Sequence, residues 1–193
     1  MHTIHIRPGK LSDLARLELI ERETAAMFPP SDLPPEFAQP LPEAVLIEAM
    51  AGSLLWVAEC ESAGVAGFVV CSRQASCVHI VEMDVRPSHG RRGIGARLLM
   101  QACRVANRHG SRIATLTTFS HFPWNAPFYA KHGFVEIADV DQFPHLKEAL
   151  RHERACGLAN RVAMVRRAAS VLSEPRGDEA RVHSSSRKLQ ALE

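Results

Sequence analysis

Apolar and polar residues follow two different periods along the first 167 residues, and each period predicts one kind of element. An alternation of two, or a short β-branched run, predicts a strand. The segments with this pattern are 3–7, 54–59, 64–72, 78–85, 112–119 and 161–165. A recurrence of three and four predicts an amphipathic helix. The segments with this pattern are 12–27, which Ser12-Asp13 would cap, 43–50, 93–109 and 145–156. The chain is therefore expected to contain both strands and helices.

The most informative segment is 78–106, which combines a strand, a basic glycine loop and a helix. Residues 78–85 are rich in β-branched side chains, residues 86–92 contain a turn, and a helical apolar pattern starts after Gly93. The first N–H groups of such a helix have no internal partner and carry partial positive charge. The segment therefore predicts an anion site, which Gly93 and Gly95 leave open because they have no Cβ.

Two common phosphate-binding motifs do not fit this loop. A Walker loop needs a Gly-Lys pair, which the loop lacks, and a dinucleotide fingerprint needs a third glycine where Leu98 stands. The remaining pattern is Arg91-Arg92-Gly93-Ile94-Gly95-Ala96 after a Val-Arg-Pro strand end. It resembles motif A of the GNAT acetyltransferases, which binds the pyrophosphate of acetyl-CoA. The family has Gln or Arg where this chain has Gly90, so the resemblance implies a contact through the backbone amide there.

A second motif of the same family follows in the expected order. Residues 122–137 read Phe-Pro-Trp-Asn-Ala-Pro-Phe-Tyr-Ala-Lys-His-Gly-Phe-Val-Glu-Ile, in which Asn125, Tyr129 and the Gly-Phe pair resemble GNAT motif B. The resemblance spans roughly residues 3 to 166 and implies the GNAT fold. That fold is a mixed α/β structure with a mostly antiparallel central sheet, splayed between two strands, and helices on both faces.

The resemblance also implies which residues hold acetyl-CoA. These cofactor-binding residues are Met83, Asp84, Val85, Gly90, Arg91, Arg92, Gly93, Ile94, Gly95, Ala96, Asn125 and Tyr129. A free backbone N–H between Met83 and Val85 would polarise the thioester carbonyl. Asn125 would contact the pantetheine arm, and it also fits the N-cap of a short helix.

Direct acetyl transfer to an amine needs a base for the ammonium and an acid for the leaving thiolate. Tyr129, the only tyrosine in the chain, stands where GNAT enzymes carry the general acid; the alternative is a core aromatic. Glu82 is the first choice for the base, with Asp84 on the same face by alternation. If that face is solvated, both carboxylates are surface charges. His79, Glu23 and a water chain are the alternative bases.

The acceptor is expected to be a small-molecule primary amine, which attacks acetyl-CoA in a ternary complex. A protein N terminus or lysine is the alternative acceptor, and a non-catalytic acetyl-CoA sensor is the alternative function. The acceptor pocket is expected to include Trp124, Glu23 and Phe28, and the proline-rich residues 29–42 fall where the family covers its acceptor site. The competing interpretations are Trp124 as a lid over the core and the loop as a rigid connector.

Composition restricts the partners and the compartment. A formal charge of +2 gives no case for a nucleic acid or a membrane as partner. The five scattered cysteines indicate a reduced compartment, and the histidines lack metal-ligand spacing, so no metal is expected. With no signal-peptide pattern, a cytoplasmic protein is expected. A homodimer rests on family analogy alone. Residues 168–193 are expected to be a mostly disordered tail after a domain of residues 1–167.

Overall fold

The computed structural model describes residues 3–168, which form seven strands and five α-helices. The strands are β1 (Ile4–Pro8), β2 (Leu55–Cys60), β3 (Gly64–Arg73), β4 (Val78–Val85), β5 (Ile113–Phe119), β6 (Val135–Ile137) and β7 (Arg161–Arg167). The helices are α1 (Leu14–Ala25), α2 (Glu43–Ala51), α3 (Ile94–Arg108), α4 (Ala126–Lys131) and α5 (Pro144–Ala155). Every element predicted from the periodicity is present, with ends displaced by at most two residues.

The strands form one sheet in the order β1-β2-β3-β4-β5-β7-β6. Its neighbours are antiparallel except β4 and β5, which run parallel. The predicted mixed, mostly antiparallel sheet is therefore confirmed. The one parallel pair follows from the connection through α3, because a helical crossover returns the chain in the same direction.

The two central strands separate soon after they meet. β4 and β5 pair only at Val78 with Ala114 and at His79 with Thr115. Just beyond this point Val70 of β3 pairs with Glu82 while Cys71 pairs with Ile80, so Val81 is an extra residue in β4. Such a β-bulge bends and twists its strand. The predicted splay is confirmed, and a gap opens between the second halves of β4 and β5.

Helices cover both faces of the sheet. Cys71 of β3 lies beside Cys103 of α3, and the two thiols interact electrostatically. Asp84, which pairs with Phe68 of β3, lies instead within hydrogen-bonding reach of Thr24 in α1. Positions 68 and 71 point to opposite faces of a strand. α1 and α3 therefore enclose the sheet from opposite sides, as the fold class predicts.

The cap of α1 and the C-terminal tail are the two remaining expectations. Asp13 occupies the N-cap position of α1, but its side chain makes no capping hydrogen bond to that helix. The side chain instead accepts hydrogen bonds from Arg7 at 2.8 and 3.0 Å and from the Lys10 N–H at 2.9 Å. The predicted tail of residues 168–193 lies outside the described residues, apart from Ala168. The Ala168 N–H donates to the carbonyl of Arg112 at 2.8 Å.

Candidate active site

The loop that leads into α3 has the geometry of an anion site. Gly93 is the N-cap residue, with φ of +78°, and Arg91 also has a positive φ of +61°. The Arg97 N–H donates to the Gly93 carbonyl at 3.2 Å, so the amides of residues 94–96 precede the first bond within the helix. These amides point out of the helix end with partial positive charge. The predicted loop of residues 90–96 can therefore hold a phosphate group.

The two glycines of the loop have different roles. A Cβ at Gly93 would meet nothing within 4 Å, so its positive φ is the reason for glycine. A Cβ at Gly95 would lie 3.3 Å from Phe128 Cζ and 3.8 Å from Val85 Cγ2. Gly95 therefore makes room for the ring of α4, and the sequence interpretation missed this packing role.

Basic side chains surround the loop. A groove of about 520 Å³ beside it is lined by His89, Arg92 and Arg97, together with residues of β1 and of the turn after β2. The pKa of His89 is lowered by partial burial and then by the charges of Arg92 and Arg86. The Arg91 side chain is exposed. These groups concentrate positive charge where a pyrophosphate would meet the helix end.

The edge of β4 that faces the gap carries backbone N–H groups that do not pair with β3. The Arg86 N–H donates to the Ala66 carbonyl of β3 at 2.9 Å. Because antiparallel strands alternate their bonding direction, the N–H groups of Met83 and Val85 point away from β3 and towards the gap. The Met83 N–H also bonds to the Glu82 carboxyl. The backbone N–H groups at residues 83–85 thus lie along one wall of the gap, and their role in polarising a thioester stays a prediction.

Glu82 and Asp84 lie on the α1 face of β4, because they pair with Val70 and Phe68 of β3. Burial raises the pKa of Glu82, while the charge of Arg161 and the Met83 N–H lower it. Burial, followed by the charge of Glu82, raises the pKa of Asp84 well above its ordinary range. Both residues are only partly exposed, which disfavours the alternative of fully solvated surface charges.

Tyr129 approaches the same carboxyls from α4. Its ring packs against Phe128 and Phe134, with ring centroids 5.3 and 5.8 Å away. Burial raises the pKa of the Tyr129 hydroxyl, and the charges of Glu82 and Asp84 raise it further. The structure therefore brings together three of the predicted site residues, and it keeps the phenol protonated.

Asn125 occupies the N-cap position of α4, but its side chain does not cap the helix. Its amide nitrogen donates instead to the Thr118 hydroxyl of β5 at 3.0 Å. The Asn125 carbonyl accepts the backbone N–H groups of Phe128 and Tyr129 at 2.9 and 3.1 Å. The residue thus fixes the start of α4 against the far wall of the gap.

A charged pair that the sequence did not indicate lies beside Glu82. Arg161 of β7 donates to both carboxylate oxygens of Glu153 in α5, at 2.9 and 3.0 Å. It also donates to Thr117 at 3.2 Å, and its guanidinium lies 4.6 Å from the centroid of the Phe119 ring. No local pattern marks such a pair, because its members come from separate elements.

Glu21 of α1 is a further carboxyl that the sequence analysis did not select. It is only 7% exposed, and burial, followed by the charge of Glu82, raises its pKa to about 7. Its Oε1 atom accepts the Leu41 N–H at 3.0 Å, which lowers the pKa. In the sequence, Glu21 directly follows Ile20, which belongs to the apolar face of α1. This position was the available signal, and the sequence analysis did not use it.

The predicted acceptor-pocket residues separate into two groups. Phe28 and Trp124 join an aromatic cluster with Phe119 and Phe122, in which Trp124 stacks on Phe122 at 5.0 Å. Trp124 is 45% exposed, so it does not act as a buried core residue. Glu23 lies outside this cluster.

Two of the alternative bases have other partners. Glu23 forms a two-bond ion pair with Arg86, at 2.8 and 2.9 Å. His79 contacts the Thr115 hydroxyl at 3.1 Å, and the same hydroxyl lies 3.0 Å from Nε2 of His145. Burial lowers the pKa of His79 to about 4. These contacts favour Glu82 over Glu23 and His79 as the base.

Comparison with known proteins agrees with this geometry. Residues 51–136 match the family model described as an acetyltransferase (GNAT) domain. This range includes the loop before α3, the gap between the central strands and α4. Over these residues the chain is therefore similar to GNAT acetyltransferase domains.

Solved structures show the same fold. N-acetylglutamate synthase from Neisseria gonorrhoeae, complexed with coenzyme A and N-acetyl-glutamate, aligns with a TM-score of 0.67 at 18% identity, over 86% of this chain and 35% of that one. PaiA N-acetyltransferase from Thermoplasma acidophilum, in complex with coenzyme A, gives 0.60 at 17%, over 86% and 99%. The ribosomal-protein-S18-alanine N-acetyltransferase from Escherichia coli gives 0.60 at 15%, over 88% and 99%. This chain thus spans about a third of the synthase.

Among residues 3–168, no helix combines the length and apolar character needed to cross a membrane. In the same part of the chain, no group of three or more His, Cys, Asp or Glu side chains is positioned to hold a metal ion.

Proposed function

We propose that the protein transfers an acetyl group from acetyl-CoA directly to a small-molecule primary amine. The observation that carries this proposal is the convergence of Glu82 and Tyr129 at the gap between β4 and β5, next to the helix end that can hold a pyrophosphate. A gap bounded by one strand edge and two opposed titratable groups suits a thioester and an attacking amine.

The loop and the strand edge would bind the co-substrate. The amides of residues 94–96, with Arg91 and Arg92, would take the pyrophosphate. The extended arm would then run along the edge of β4, where the N–H groups of Met83 and Val85 face the gap. A hydrogen bond from one of them would stabilise negative charge on the thioester oxygen as the amine attacks.

Glu82 and Tyr129 would move the protons. The acceptor ammonium gives one proton to Glu82, which its surroundings keep more basic than an ordinary carboxylate. The free amine forms an N–C bond with the acetyl carbon, and the C–S bond breaks. The leaving thiolate takes a proton from the Tyr129 hydroxyl, which exchanges it again with solvent. Asn125 positions Tyr129 through α4.

A small molecule is favoured as acceptor by the location of the gap. Glu21 and Thr24 on its α1 side are each 7% exposed. The side chains of the Arg161–Glu153 pair are 17% and 9% exposed. The aromatic cluster around Trp124 forms a further wall. A compact cation can enter such a site more readily than a folded protein surface can.

Release of CoA thiol in the presence of different amines would test the proposal. Wild-type protein should release thiol with at least one small amine, and Tyr129→Phe should lower turnover by roughly 100-fold, as expected for loss of a general acid. CoA affinity of the variant should stay unchanged. Phe134→Leu, which alters the same aromatic packing without removing a hydroxyl, is the matched control.

Each alternative has its own outcome in this test. Thiol release only with peptides would indicate a protein acceptor. CoA binding without thiol release from any amine would indicate a non-catalytic sensor. Full activity in Tyr129→Phe would remove the tyrosine from its role as acid while leaving the enzyme class intact.

A further inference from the structure

Three residues with carboxyl groups lie where α1 packs over β4, and the proposed chemistry uses only one of them. Glu82 and Asp84 come from β4, and Glu21 comes from α1. Glu21 and Glu82 repel each other, and Asp84 is raised in pKa by both. We call Glu21, Glu82 and Asp84 the acidic cluster.

Glu21 has a carboxylate oxygen with no partner. Oε1 accepts the Leu41 N–H, whereas Oε2 is buried and has no hydrogen-bond partner among the described residues. The side chain belongs to a residue that is 93% buried, and a buried unpaired carboxylate oxygen is strongly unfavourable. Such an atom next to two further carboxyls indicates a site that a cationic donor would complete.

The cluster has little positive charge of its own. Arg161 is the cation whose charge lowers the pKa of Glu82, but its guanidinium already forms two hydrogen bonds with Glu153. On α1, Glu18 and Arg22 also act on Glu21, but they pair with each other at 2.9 Å and are more than half exposed. The three carboxyls therefore need external cations to ionise together.

A metal ion does not meet this need, because the carboxyls do not form a ligand set within residues 3–168. An organic cation needs hydrogen-bond acceptors and apolar walls instead. The walls are present in the aromatic cluster of Phe28, Phe119, Phe122 and Trp124, where Phe119 already contacts the guanidinium of Arg161. Aromatic faces attract cations and pack well against methylene groups.

On the basis of the proposed acetyl transfer, we infer that the acceptor is a small diamine: two positive charges, an apolar spacer and no carboxylate. Glu82 receives the ammonium that is acetylated, and Glu21 with Asp84 attracts the second charge. A carboxylate on the acceptor would add a fourth negative charge to the cluster and would be rejected.

Three ligands of similar length test this inference by calorimetry. Protein saturated with CoA, which cannot turn over, is titrated with 1,5-diaminopentane, pentylamine and lysine. Pentylamine lacks the second charge, and lysine adds a carboxylate to the diamine. We expect the diamine to bind roughly tenfold or more tightly than pentylamine, as charged hydrogen bonds predict, and lysine to bind no better than pentylamine.

Proton release is a second measurement on the same complexes. Because the two cations favour the ionised carboxyls, diamine binding at pH 7 should release protons, seen as a binding heat that depends on the buffer. Glu21→Gln should lose most of the diamine preference and most of the proton release. Glu18→Gln, the same change on the exposed side of α1, should keep both, and CoA affinity should be unchanged in both variants.

Equal affinity for the diamine and pentylamine, or tighter binding of lysine, would overturn the inference. These comparisons use the wild-type protein, so they do not depend on the folding of a variant. They also separate the inference from the proposed function. Thiol release with pentylamine but no diamine preference rejects the substrate class alone, whereas diamine preference without thiol release from any amine rejects acetyl transfer.

Discussion

The side-chain amide of Asn125 donates to the Thr118 hydroxyl at 3.0 Å, which joins the N-cap residue of α4 to the strand on the far side of the gap. Thr118 is 3% exposed, so the bond is shielded from water. Tyr129 lies one helical turn beyond Asn125, and its backbone N–H donates to the Asn125 carbonyl. The position of the phenol therefore depends on a contact between two other residues.

Asn125→Ala should lower both stability and turnover. Loss of the amide leaves a buried hydroxyl unpaired and should reduce the free energy of unfolding by about 1 kcal/mol. Turnover should fall because Tyr129 is no longer held at the gap. Thr118→Val removes the other partner, and denaturant unfolding of both single variants and the double variant gives the coupling energy. Strictly additive losses would show that the hydrogen bond does not connect the two residues.

Gly93→Ala should weaken CoA binding, whereas Gly110→Ala should not. Both glycines have positive φ values, +78° and +74°, and a Cβ at either position meets nothing within 4 Å. Each substitution should therefore reduce the free energy of unfolding by about 1–2 kcal/mol through backbone strain. Only Gly93 lies at the anion end of α3. Calorimetry with CoA and urea unfolding separate the two effects, and equal CoA affinity in both variants would contradict the loop assignment.

Most of the fold could be predicted from the sequence because its signals are local. The β-branched run of β4 and the glycines before α3 lie within a few residues of the structure that they specify. The predicted and the observed bounds of β4 are the same, Val78–Val85. The segments that resemble GNAT motifs A and B are also contiguous, and both lie within the residues that match the family model.

The parts of the site that could not be predicted arise from tertiary contacts. The bulge at Val81 is visible only when the register with β3 is known. Glu21 becomes part of the site because α1 packs over β4, and Arg161 pairs with Glu153 because α5 packs on β7. The space beside Gly95 is filled by Phe128, which lies on another helix. None of these contacts produces a periodic pattern in the sequence.

Glu21→Gln should make the free energy of unfolding fall less between pH 5 and pH 8 than it does in the wild-type protein. The pKa of Glu21 rises from roughly 4.3 in an unfolded chain to about 7 in the folded protein. The folded state therefore binds the proton more tightly, and the stability that this supplies at low pH is lost as the pH rises through about 7. The wild-type protein should lose about 2 kcal/mol more than the variant over this range. Urea unfolding at both pH values measures the difference, with Glu18→Gln as control; parallel curves would contradict the shift.

Arg91→Gly should weaken CoA binding without destabilising the fold. Arg91 has a φ of +61°, a conformation that strains any residue with a Cβ but not glycine. Relief of this strain offsets the greater flexibility of glycine in the unfolded chain, so the free energy of unfolding should change by less than about 1 kcal/mol. Removal of the guanidinium should weaken CoA binding by roughly tenfold, as for one charge-assisted contact to a phosphate. The loss should shrink as salt is added, because exposed charges are screened.

Arg108→Gly, at the opposite end of α3, removes the same charge far from the loop and should leave CoA affinity unchanged. An equal loss of affinity in both variants would indicate a general effect of net charge and not a contact between Arg91 and the co-substrate.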